Sequence, residues 1–160
     1  MTEHYFTSNP QSKHDIAEIT ANFFGQEFVF KTDAGVFSKN GVDAGTMILI
    51  SALEVKPGDR VLDLGCGYGP LGIAAAYLAG PTGQVDMIDI NERAVDLAKQ
   101  NAALNNIDHV RVWQSDGFAA VTDVYDWIIT NPPIRAGKKV IYPMVEHAYK
   151  HLKPGGGLML

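Results

Sequence analysis

Apolar positions along this 160-residue chain follow two periods, and from about residue 60 the two alternate regularly. Before that point the signal is mixed. Ile16, Ile19 and Phe23 fall on one helical face and Gly25 follows as a stop, so a first helix is expected over residues 12–24. Phe28 and Phe30 alternate with polar neighbours, which predicts a strand over 27–31. Residues 35–41 then read as a loop. Asp43 is placed to cap a buried helix running through Met47, Ile50 and Leu53, and Lys56-Pro-Gly-Asp59 is a turn.

Beyond the turn, residues 61–64 form a short apolar strand that feeds a glycine-rich turn and an alanine-rich helix over 71–78. A strand at 84–90 follows, then a helix at 93–104 capped by Asn91, and strands at 110–114 and 125–130. Ile141, Met144, Val145, Ala148 and Leu152 mark one face of a last helix, Lys153-Pro-Gly-Gly156 stops it, and residues 157–160 begin a fifth strand of this series. Strands alternating with helices of this length mean βαβ units with right-handed crossovers. The predicted fold is α/β: a Rossmann-like, doubly wound, mostly parallel sheet with helices on both faces. One domain is expected over 1–160, with a helix/strand/helix extension at 1–55 and a ligand-binding core at 56–160. Leu160 falls inside an apolar run, so the sheet reads as truncated within its fifth strand.

Composition narrows the class. With 46% hydrophobic and 19% charged residues, a core can form without disulfide staples. Cys66 is the single cysteine, which excludes a disulfide framework and points to a reducing compartment. Residues 1–10 hold no apolar h-region, and no apolar run approaches the ~20 residues of a membrane span, so a cytoplasmic protein is expected. The net charge of −5 excludes gripping nucleic acid by the whole surface; an RNA partner would have to be met by a local basic patch.

The most informative segment is Val61-Leu-Asp-Leu-Gly-Cys-Gly-Tyr-Gly69. Gly65, Gly67 and Gly69 stand where a parallel strand turns into a helix, the edge at which open α/β sheets bind ligands. The dinucleotide fingerprint G-x-G-x-x-G fails, because Pro70 occupies its third glycine position. A carboxylate in the strand, Asp63, suits a ligand with an ammonium group better than a pyrophosphate, which favours S-adenosylmethionine over NAD. Asp89, 20 residues beyond Gly69 at the end of the next strand, is spaced to meet ribose hydroxyls. Ile90 is placed for an adenine face, and Ser115-Asp-Gly117 offers Asp116 to the adenine amine, with Gly117 beside it. Cys66 fills the turn.

The strand at 125–130 ends in Asn131-Pro-Pro-Ile134. Two prolines fix φ and remove two donors, leaving a stiff ledge of carbonyl acceptors beside the Asn131 carboxamide. Accepting both hydrogens of an exocyclic amine, through Asn131 Oδ1 and the Pro132 carbonyl, would aim its lone pair at a methyl group. The transfer is then in line, helped by proximity and electrostatics.

These segments, together with Gly35-Val-Phe-Ser38, Gly41-Val-Asp-Ala-Gly-Thr46, Asp89-Ile-Asn91 and residues 131–138, resemble a class I S-adenosylmethionine-dependent methyltransferase of the methyltransferase small domain family. That group includes bacterial 16S ribosomal RNA guanine methyltransferases. The resemblance implies that Asp63, Gly65, Cys66, Gly67, Gly69, Asp89, Ile90, Asp116 and Gly117 bind S-adenosylmethionine. It implies that Asn131, Pro132, Pro133 and Ile134 form the catalytic segment, with residues 39–46 lying over the pocket. Ribosomal RNA or the small subunit is the expected partner. Relatives acting on base amines often carry an aromatic after the two prolines, to stack on the flipped base. Ile134 has no π face, so stacking would fall to Phe37, while Arg135, Lys138 and Lys139 would meet flanking phosphates. The family fold also continues past the fifth strand with two more strands, absent here.

Two other functions fit the residues. A protein glutamine amide offers the Asn-Pro-Pro segment a similar planar nitrogen, and a non-catalytic cofactor-binding module would keep only the first pocket. Asp43 and Thr46 read equally well as plain helix-capping residues. His147 and His151 have the i, i+4 spacing of a metal pair but no evident third ligand, so no metal is expected.

Overall fold

The computed structural model describes residues 11–36, 38, 40–132 and 137–160. Its centre is a parallel sheet of β3 (Arg60–Leu64), β4 (Gln84–Asp89), β5 (Val110–Gln114), β6 (Tyr125–Ile129) and β7 (Leu152–Met159). The crossovers carry α2 (Pro70–Ala79), α3 (Glu92–Leu104) and α4 (Lys138–Lys150). The inner strands β3, β4 and β6 are largely apolar on both sides, as a sheet covered on two faces requires. Val61, Val85, Met87 and Ile129 turn toward the cluster that includes α2 and α3. Leu62, Leu64, Ile88 and Ile128 turn toward the cluster of Ala148 on α4. Asp86, one of three buried carboxylates in these strands beside Asp63 and Asp89, accepts two bonds from Arg111, at 2.8 and 2.7 Å, and one from the Tyr125 hydroxyl at 2.6 Å. No helix among the described residues is long and apolar enough to cross a membrane.

The spatial order is β5-β4-β3-β6-β7, so chain order reverses between β3 and β6. The connections leaving those two neighbours run in opposite directions and open a crevice at their carboxyl ends, the place where such sheets bind ligands.

The N-terminal part corrects one expectation. Residues 12–24 do not form a helix; β1 (Ala17–Phe23) pairs antiparallel with β2 (Gln26–Thr32). Ala17, Ile19, Ala21 and Phe23 face one way while Glu18, Thr20 and Asn22 are exposed, a strict period of two. Ile16, counted toward a helical face, is 66% exposed. Phe24 and Gly25 have φ of 56° and 70°, the left-handed pair of a two-residue hairpin turn. The extension is therefore strand, strand and helix, the last being α1 (Ala44–Ser51) with Asp43 at its N-cap. Phe23, Phe28 and Phe30 anchor the hairpin in the core. Its outer edge is satisfied by α3: Asn105 and Asn101 each exchange two bonds with the backbone, of Val29 at 3.0 and 2.8 Å and of Lys31 at 2.7 and 3.0 Å.

A second correction lies at α4. Leu152 belongs not to the helix face but to β7, opposite Tyr125, and Lys153-Pro-Gly-Gly156 lies inside the strand, across an irregularity in register. The glycines there serve close approach. A Cβ on Gly156 would lie 2.9 Å from the Asp126 carbonyl oxygen, and one on Gly157 2.5 Å from the Trp127 ring.

Candidate active site

The turn from β3 to α2 carries the first half of the site. Gly65 and Gly67 have φ of 72° and 57°, a conformation that favours residues without a Cβ. The Cys66 amide donates to the Ile88 carbonyl at 2.8 Å, and the Gly67 amide to Asp89 Oδ2 at 2.8 Å, so the turn is tied to β4. Gly69 lines neither cavity described below; it is the N-cap of α2, with Pro70 following at the first helical position.

Asp63 is 1% exposed, and its Oδ2 has no hydrogen-bond partner. Burial, joined by the charge of Asp89, pushes its pKa up to about 8 against the pull of the Gly72 amide. Gly72 is obligatory for this approach, since a Cβ there would stand 2.7 Å from Asp63 Oδ2. Asp89 is also raised by burial, although the amides of Asn91, Gly67 and Ile90 oppose the shift. Its Oδ1 accepts from the Asn91 amide at 2.8 Å. A carboxylate has about four acceptor sites, so Asp89 holds the turn and keeps capacity for a ligand. The Cys66 thiol is pushed up by burial and then by Asp89 and Asp63, which makes it a poor nucleophile.

The second half hangs from the end of β6. Thr130 donates its hydroxyl to the Leu64 carbonyl at 2.8 Å, which holds the start of the Asn-Pro segment against the end of β3. Asn131 Nδ2 donates to Thr46 Oγ1 at 3.0 Å and to Asp43 Oδ2 at 3.3 Å. Asn131 Oδ1 makes no hydrogen bond among the described residues.

Two cavities meet here. One, of about 190 Å3, is lined by Asp63, Gly65, Cys66, Gly67, Asp89, Asn131 and the buried Pro132, among others. The other, of about 760 Å3, is lined by Gly65, Asp89, Ile90, Asp116, Gly117 and Asn131, with α4 residues opposite. Gly65, Asp89 and Asn131 are common to both. These predicted residues thus converge from the ends of four strands, β3, β4, β5 and β6. Lys138 and Lys139 are exposed in the first turn of α4 and line neither cavity. Phe37, Pro133, Ile134 and Arg135 lie outside the described residues.

Several lining residues escaped the sequence. Tyr68 is buried beside the first cavity, and burial and then Asp43 raise its pKa against the pull of the Ser38 hydroxyl. Phe118, Met144, His147 and His151 wall the second, where the His151 ring stacks on Phe118 at 4.9 Å and 4°. Phe118 and Met144 look like core in the sequence, and the i, i+4 spacing of His147 and His151 suggested only a metal pair. Among the described residues no group of three or more His, Cys, Asp or Glu is placed to hold a metal ion.

A family model for the methyltransferase small domain matches residues 27–160. The chain belongs to the methyltransferase small domain family. Within it, the chain is 42% identical to the uncharacterized protein YbxB of Bacillus subtilis, over all of this chain and 81% of that protein. It is 39% identical to ribosomal RNA small subunit methyltransferase C of Hahella chejuensis, over 79% of this chain and 37% of that protein. Among solved structures, the T. thermophilus 16S rRNA N2 methyltransferase RsmC, in complex with AdoMet and guanosine, superposes with a TM-score of 0.82. That match has 28% identity and covers 94% of this chain and 43% of the other. The chain spans less than half the length of these two methyltransferases. The superposition fixes the architecture as the class I methyltransferase fold, a mostly parallel Rossmann-like sheet.

Proposed function

We propose that this chain binds S-adenosylmethionine across the two cavities and methylates an exocyclic amine of a nucleobase, guanine in small-subunit ribosomal RNA. The observation that carries the reading is Asn131. It stands at the topological switch point, on the wall common to both cavities, with an acceptor oxygen uncommitted.

The donor set fits the cofactor. Asp63 Oδ2 is a buried acceptor without a donor, which suits an ammonium group. Asp89 retains acceptor sites for ribose hydroxyls, and the second cavity offers Ile90, Asp116 and Gly117 to an adenine. Bound there, S-adenosylmethionine supplies a methyl group made electrophilic by its sulfonium. Asn131 Oδ1 and the Pro132 carbonyl accept the two amine hydrogens, which turns the nitrogen lone pair toward the cofactor side and holds it there. Lys138 and Lys139, exposed at the start of α4, meet flanking phosphates. The guanosine in the T. thermophilus RsmC complex supports a guanine target.

The net charge of −5 favours the second reading, a glutamine amide on a protein. Incubation with methyl-labelled S-adenosylmethionine, small-subunit ribosomal RNA, intact small subunits and release factors separates the two. Label in RNA is expected. Label confined to protein would replace the first reading by the second, and tight cofactor binding with no transfer would leave a non-catalytic module.

A further inference from the structure

We propose that Asp43 and Thr46 are positioning residues, which lock the Asn131 carboxamide in the one of its two flip states that turns Oδ1 to the cavities. The inference rests on Asn131 being the acceptor for the target amine. A primary amide rotated by 180° exchanges oxygen for NH2 with almost no change in shape. In the wrong state Asn131 would present donors to an amine that is itself a donor, and the hydrogen bonds that orient the substrate would be lost.

The contacts on α1 select one state. Asp43 carries a carboxylate, which only accepts, and its Oδ2 lies 3.3 Å from Asn131 Nδ2. Thr46 donates its hydroxyl proton to Asp43 Oδ1 at 2.5 Å, so its Oγ1 can only accept toward Asn131, at 3.0 Å. Both partners therefore demand the NH2 group. The flipped amide would press its oxygen against two acceptors. Asp43 also caps its own helix, accepting from the Thr46 amide at 3.4 Å.

Gly45 fits the same arrangement. A Cβ there would stand 3.2 Å from Asp43 Oδ2 and crowd that carboxylate, while meeting the Asn131 amide at ordinary contact distance, 3.6 Å from Nδ2 and 3.7 Å from Oδ1, so glycine leaves room for the Asp43 side chain beside Asn131.

The test uses the whole chain with Thr46→Val, Thr46→Ser and Asp43→Ser. Serine at position 43 keeps an N-cap but is too short to reach Asn131. Valine at 46 keeps the shape and loses the hydroxyl. In single-turnover methylation of small-subunit ribosomal RNA, T46V and D43S are expected to lower the rate by about 10-fold or more. Their affinity for S-adenosylmethionine should stay within about two-fold of wild type, and T46S should transfer normally. On the residual activity of Asn131→Ala, adding T46V should cause no further loss. Normal transfer by both T46V and D43S, beside an impaired N131A, would overturn the positioning role. Normal transfer by N131A would instead overturn the reading on which it rests. NMR gives an answer independent of the substrate. The Asn131 side-chain amide should lose exchange protection in T46V and D43S and keep it in T46S; unchanged protection in both would also refute the lock.

Discussion

Asn131 and Asp89 sit on the same cavity walls but are assigned opposite parts of the chemistry. Asn131 is proposed to hold the group that is methylated, so Asn131→Ala should lower kcat by about 100-fold or more and leave the cofactor Kd nearly unchanged. Asp89 ties Gly67 and Asn91 and is proposed to meet the cofactor, so Asp89→Ala should weaken cofactor binding first. Calorimetry beside single-turnover rates separates the two; an Asn131→Ala variant with normal kcat would contradict the assignment. Asp63 yields a pH prediction. Its folded pKa is raised to about 8 from an ordinary value of 3.8, so the protonated carboxyl is the form that favours the fold. Stability of the cofactor-free protein should be fully present below the ordinary value and fall as pH climbs through about 8. Asp63→Asn, always neutral, should flatten that fall in the Tm. A wild-type Tm that is level over this window would show that Asp63 is not held protonated. An ammonium ligand favours the charged carboxylate, so cofactor binding at neutral pH should release a proton, measurable in buffers of different ionisation enthalpy.

At the scale of elements, the hairpin is held by side chains that imitate a third strand. Asn101 is fully buried and bonds Lys31 on two sides and the Tyr68 carbonyl at 2.8 Å. Asn101→Ala would strand these backbone groups and should cost about 1–3 kcal/mol in urea unfolding. A loss below a few tenths would mean water replaces the amide without penalty. The same region shows what the sequence withheld. Ile16, Ile19 and Phe23 satisfy a helical spacing by coincidence, while the alternation from Ala17 to Phe23 and the glycine after Phe24 describe the hairpin that forms. The βαβ core was legible because its signals are local: a strand, a turn and a helix occupy adjacent residues, and Asp63, Gly65 and Asp89 inherit their place from that pattern. The bonds from Asn131 to Asp43 and Thr46 span 88 and 85 residues, and no spacing rule links positions so distant. Gly156 misled for a related reason, since it answers to the Asp126 carbonyl of β6 across the sheet rather than to its own stretch of chain.

On the scale of the whole molecule, the proposed RNA partner is a polyanion, while this chain carries a net charge of −5. Binding to RNA must then depend on few phosphate contacts, and its salt dependence should be shallow for a nucleic-acid-binding protein. Lys138 and Lys139, exposed at the start of α4, are the described cations nearest the catalytic segment in sequence. Replacing both by alanine should weaken RNA binding and reduce the slope of log affinity against log salt by about 2, with cofactor affinity unchanged. An unaltered slope would place the phosphate contacts elsewhere. The sheet reversal between β3 and β6 brings the cofactor turn and the Asn-Pro segment to one crevice, and the family's chemistry is assigned to that junction. The most direct test is nucleoside analysis of small-subunit ribosomal RNA after incubation with this protein and S-adenosylmethionine. A guanosine methylated on its exocyclic nitrogen, absent with Asn131→Ala, is the predicted result. Methyl groups found only on ring nitrogens, on carbon or on ribose would contradict an amine-orienting Asn131.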